Sequence, residues 1–101
     1  MNFSKKEITW IRNELTTANK PLFLYHDDPD GLCSFLQLYR FCNKGEGICC
    51  KTHKILEQNF LDYILKYDAD KIFILDIPAL DQDFIDKLNT SVIYIDHHPP
   101  L

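Results

Sequence analysis

Three short apolar runs, each closing on residues that ligate metal ions, constrain this chain more than any other feature. Leu22-Phe23-Leu24-Tyr25 leads into His26-Asp27-Asp28-Pro29-Asp30-Gly31. Ile72-Phe73-Ile74-Leu75 leads into Asp76, and Val92-Ile93-Tyr94-Ile95 leads into Asp96-His97-His98. Each run is apolar throughout instead of alternating, the pattern of a strand buried on both faces of a parallel sheet. Helical patterns separate the runs. Ser4-Lys5-Lys6-Glu7 fits a capping box, and Ile8, Ile11 and Leu15 follow at helical spacing, which predicts a helix over 4–18. A second helix is expected from Gly31 through Leu32, Phe35, Leu36 and Tyr39, then a loop over 43–47 and a weaker strand over 48–53. Further helices are expected over 57–67 and 81–88. Strands alternating with helices predict an α/β fold: a parallel sheet with helices on both faces, a Rossmann-like three-layer sandwich.

Topology gives the three runs a common destination. In a parallel sheet, ligands sit outside the carboxyl ends of the strands. His26, Asp28, Asp30, Asp76, Asp96, His97 and His98 are therefore expected along one edge. Carboxylates gathered this closely repel one another unless a cation offsets the repulsion. Asp-Pro-Asp-Gly is also ordinary turn chemistry, and Asp76 taken alone could be a helix cap. A calcium loop fits poorly, since it needs aspartate at position 26, a bidentate glutamate at position 37 and a preceding helix. Hard oxygen donors mixed with imidazole suit Mn²⁺ better than zinc, with Mg²⁺ also possible. Two such ions, ~3.5–4 Å apart, can clamp the attacking and leaving oxygens of a phosphoryl displacement. A helix starting at Gly31 would aim amide groups at the same edge and favour an anionic substrate.

The rest of the chain sets bounds. At 101 residues, 46% hydrophobic and 26% charged, it has the length and composition of one soluble globular domain. Its net charge of −4, without a basic cluster beyond Lys5-Lys6, argues against tight electrostatic binding of nucleic acid by this chain alone. Metal binding would offset that charge. No apolar run reaches the ~20 residues of a membrane span, and the N-terminus lacks the apolar core of a signal peptide, so a cytoplasmic location is expected. Cys33, Cys42, Cys49 and Cys50 form no C-x-x-C pair. They are expected as reduced structural thiols, with Cys33 and Cys42 acting as small hydrophobes within a helix.

The motif His26-x-Asp28-x-Asp30-Gly31, Asp76 after an apolar strand, and Asp96-His97-His98 together resemble the first three motifs of the DHH phosphoesterase superfamily. The Asp-Gly-Leu-Cys-Ser continuation is most similar to its archaeal RecJ-like branch. The resemblance spans residues 26–98 and implies two Mn²⁺ ions bridged by Asp76. One ion would take His26, Asp28 and Asp76, and the other Asp30, Asp76 and His97. Asp96 would orient His97, and His98 and Gly31 would contact the substrate phosphate. The implied activity is phosphodiester hydrolysis of single-stranded nucleic acid or short nucleotides, with a non-catalytic RecJ-like scaffold domain of a nucleic-acid-processing complex as the alternative. Relatives also carry a fourth aspartate motif and a C-terminal substrate-binding domain, and residues 1–101 contain neither. This chain is thus expected to be the N-terminal part of a DHH catalytic domain. Little activity is expected of it alone, and association with a C-terminal half, a partner chain or a copy of itself.

Overall fold

The computed structural model describes residues 4–50, 58–75, 77, 82–88 and 90–95. Along the chain these form α1 (Lys5–Thr17), β1 (Pro21–His26), α2 (Pro29–Cys42), β2 (Glu46–Cys50), α3 (Gln58–Tyr67), β3 (Lys71–Leu75), α4 (Gln82–Lys87) and β4 (Ser91–Ile95). The capping box at α1 is formed in both directions. Ser4 Oγ accepts the Glu7 N–H and Glu7 Oε1 accepts the Ser4 N–H, each at 3.2 Å. This satisfies two of the amides that a helix start leaves without intrahelical partners.

Two boundaries differ from the expectation. α2 begins at Pro29, two residues before Gly31, because Asp28 is its N-cap and Pro29 occupies the first turn. A proline there gives up an amide that had no helical partner, and its fixed φ suits the helix. β2 begins at Glu46 instead of Ile48. Gly47 reads as loop chemistry in sequence, yet it is needed within the strand, because a Cβ there would run into the Phe35 ring. The rest of the expected strand, 51–53, lies outside the described residues, as does Glu57 at the start of the third helix.

All four strands are parallel, in the order β2-β1-β3-β4. Successive residues of each strand turn to opposite faces, and the sheet builds two cores on that alternation. Leu22, Leu24, Ile72 and Ile74 face α3 and α4, packing with Leu61, Ile64, Phe84 and Leu88. Phe23, Phe73, Leu75, Ile93 and Ile95 face α1 and α2, packing with Ile11, Leu15 and Phe35. The Phe23 and Phe73 rings stack at 5.2 Å and those of Tyr25 and Phe35 at 4.8 Å, which fixes α2 on its face. The fold is the expected three-layer α/β sandwich.

At the amino ends of the strands, the amides of Asn19 and Lys20 donate to the Asp70 carboxylate at 2.6 and 2.8 Å. Burial pushes the Asp70 pKa up, but these amides, together with those of Asp70 and Lys71, outweigh it and hold the carboxyl below its usual range. The contact ties the entry to β1 to the entry to β3. It contributes to their alignment from the end opposite the candidate site.

None of Cys33, Cys42, Cys49 and Cys50 is joined in a disulfide. Cys33 departs from its expected place as a packed hydrophobe. It lies exposed on α2, and the deeply buried thiol is Cys50. No helix among the described residues is long and apolar enough to cross a membrane.

Candidate functional site

The chain leaves β1 for β2 on one side of the sheet, and β3 and β4 lie on the other. The strand order therefore reverses between β1 and β3, and in open α/β sheets ligands bind in the crevice outside the carboxyl ends at that reversal. Tyr25 is in register with Leu75, and Leu75 with Ile95, so β1, β3 and β4 end side by side. At a spacing of about 4.8 Å between neighbouring strands, these three ends span about 10 Å. His26 is the last residue of β1, and Asp76 and Asp96 follow the last residues of β3 and β4 in sequence.

The turn after β1 is held by its own polar groups and by the end of β2. The Asp27 N–H donates to the Cys50 carbonyl at 3.2 Å, and the Asp28 N–H donates to the His26 carbonyl at 2.8 Å. Asp28 then divides its carboxylate. Oδ1 accepts the Gly31 N–H at 2.7 Å, capping α2, and Oδ2 lies 2.7 Å from His26 Nδ1. The Gly31 amide and then the His26 contact hold the Asp28 carboxyl below its usual pKa. An ionised carboxylate can only accept, so the pairing favours the imidazole tautomer with its proton on Nδ1 and its lone pair on Nε2. That is the state in which histidine ligates metal ions. Both groups are partly open to solvent, with side-chain exposures of 26% for His26 and 39% for Asp28.

Gly31 makes this turn possible by close approach. A Cβ there would meet the backbone of His26, so the first turn of α2 packs directly onto the last residue of β1. Its amide is committed to Asp28. Asp30 stands exposed in the same first turn, where the helix dipole favours a carboxylate.

Five residues that the sequence did not single out share the site. Tyr25, Asp27, Pro29, Leu32 and Cys49 line an open cleft of about 460 Å³ together with His26 and Asp28. Cys49 Sγ donates to Asp27 Oδ1 at 3.3 Å. Burial, and then the neighbouring acidic groups of Cys49, Cys50 and Asp27, which are ionised at the high pH where a tyrosine titrates, push the Tyr25 hydroxyl above its usual pKa. Asp27, Pro29 and Leu32 could have been found from their nearness to His26 in sequence. Cys49 could not, because only the pairing of β2 with β1 brings it there. Asp76, Asp96, His97 and His98 lie outside the described residues, and among the described residues no three histidine, cysteine or acidic side chains are grouped to hold a metal ion.

Residues 22–101 match the model of the DHH family, N-terminal domain. The chain belongs to the DHH family. The match starts at Leu22 in β1 and takes in all four strands. No curated protein and no solved structure gives a significant match. The DHH family is of phosphoesterase type. In this DHH domain the Asp28 carboxylate orients the His26 imidazole so that its Nε2 lone pair is the atom open to a divalent cation.

Proposed function

We propose that this DHH domain is the metal-binding part of a divalent-metal-dependent phosphoesterase. Its substrate would be the phosphodiester bonds of single-stranded nucleic acid or short nucleotides, as in the RecJ-like branch. The observation that carries the reading is the His26–Asp28 pair at the carboxyl end of β1, at the point where the sheet reverses beside β3. A structural role for the cap needs only Asp28 and Gly31. It does not need an imidazole held by the second carboxylate oxygen.

His26, through Nε2, and Asp76 would hold one Mn²⁺ and Asp30, Asp76 and His97 a second, with Mg²⁺ as a substitute; Asp28, which the family resemblance puts on the first ion, instead meets His26 Nδ1 on the opposite side of the ring. Bound there, such ions neutralise phosphate charge and make a water acidic enough to attack it near neutral pH. Asp28 keeps the His26 ring in its ligating tautomer and orientation. Asp96 would do the same for His97, and His98 would meet the phosphate. The dipole at the start of α2 adds favourable potential for an anion at this edge.

The domain would act together with an associating chain, so the test is hydrolysis of a single-stranded oligonucleotide and a dinucleotide with added Mn²⁺, by the protein alone and with that chain. Metal-dependent cleavage that His26→Ala abolishes is the expected outcome. Cleavage that persists after chelation of divalent metal, or in the His26→Ala variant, would contradict the reading.

A further inference from the structure

The cleft beside His26 runs away from the strands that lead to the other candidate ligands. β3 and β4 lie on one side of β1, and the far wall of the cleft is Cys49 of β2, on the other. Its volume of about 460 Å³ falls within the ~300–1,000 Å³ of small-molecule sites. Two carboxylates, those of Asp27 and Asp28, line it, and among the described residues no lysine or arginine does. A second anionic group entering this space would meet like charge. A neutral group with an apolar face and hydrogen-bond donors meets the opposite situation. Leu32 offers a large apolar side chain that is 45% exposed, one helical turn beyond the Asp28 cap, with Pro29 beside it. Asp27 offers a carboxylate that accepts from hydroxyl or amino groups.

Building on the phosphoesterase reading, we propose that the cleft between Leu32 and Cys49 is a nucleoside subsite. It takes the sugar and base attached to the phosphate held near His26. Leu32 and Pro29 cover the apolar surface of this group, and Asp27 accepts from its polar edge. The same lining disfavours inorganic pyrophosphate, whose second phosphate would have to enter a carboxylate-lined space.

The experiment is titration of the Mg²⁺-loaded protein with a hydrolysis-resistant phosphorothioate dinucleotide of adenosine, and separately with pyrophosphate. Calorimetry and NMR would read wild type and Leu32→Gln. The dinucleotide should shift the Leu32 methyl and Cys49 amide resonances, and pyrophosphate should leave both in place. Leu32→Gln should weaken the dinucleotide about tenfold, the size expected for losing one buried leucine contact, and leave pyrophosphate unchanged. Leu32 is exposed and glutamine is a good helix former, so the variant should fold. Dinucleotide binding that leaves Leu32 unshifted and is as tight in Leu32→Gln overturns the subsite while the phosphoesterase reading stands. If neither ligand binds and Mg²⁺ leaves His26 unmoved, the phosphoesterase reading fails and the subsite fails with it.

Discussion

His26 Nδ1 and Asp28 Oδ2 lie 2.7 Å apart across the two-residue step between β1 and α2. One carboxylate thereby links the last residue of a buried strand to the cap of the next helix. Stability and the candidate chemistry meet in one side chain, and the two roles separate by experiment.

Asp28→Ala should destabilise the domain by ~1 kcal/mol near neutral pH, the usual loss for an N-cap. Because Asp28 is more than a third exposed, its ion pairing with His26 adds little in solvent. The folded-state pKa of Asp28 is lowered, so its contribution is fully present above the unfolded carboxyl pKa of about 4. That contribution is lost as pH falls through the lower folded value. Urea unfolding of both proteins from pH 7 down to pH 3 should show the difference shrinking below about pH 4. A difference that stays constant across that range would contradict this assignment.

Gly31→Ala sets two effects against each other. Alanine favours a helix over glycine by about 1 kcal/mol. The added Cβ meets the backbone of His26, which cannot swing aside as a side chain can, and overpacking of this kind costs roughly 1–3 kcal/mol. The clash should win, leaving a net loss of about 1 kcal/mol and a displaced His26 ring. Thermal unfolding together with the His26 ring resonances would check this. A stabilised variant with unshifted ring resonances would show that α2 can move away freely.

The sequence was most readable where residues report their surroundings directly. The all-apolar run at 72–75 has only a doubly covered strand to occupy, and β3 takes it in with Lys71 at its start. The parallel topology followed from the alternation of such runs with helices. α2 starts two residues before Gly31, at a cap-and-proline signal in Asp28-Pro29 that the turn chemistry of the acidic cluster masks. β2 was harder. Gly47 weakens a strand pattern locally, and its justification is the Phe35 ring, which is distant in sequence. The candidate site was legible in the same unequal way. His26 and Asp28 lie two residues apart and meet, as their spacing suggested. Cys49 reaches the cleft only through strand pairing, which no local pattern encodes.

Asp76→Asn should be the most damaging single ligand change, since a carboxylate proposed to serve both ions has no substitute. In the assembled enzyme its cost should exceed the ~10–100-fold typical of changes outside the ligand shell. It should also exceed the cost of Asp28→Asn, which keeps a good helix cap. Rates for the two variants, with circular dichroism to verify the sheet, make the comparison. A clearly worse Asp28→Asn would remove Asp76 from the bridging position.

The central claim is that the ends of β1, β3 and β4 form one metal centre. Titration of the isotopically labelled protein with Mn²⁺, followed by paramagnetic line broadening, tests it most directly. Broadening should begin at His26 and His97 at low metal ratios and spread outward from both, reaching the Asn19–Asp70 end of the sheet last. Resonances of His26 and His97 that stay sharp while the protein remains folded would contradict the account.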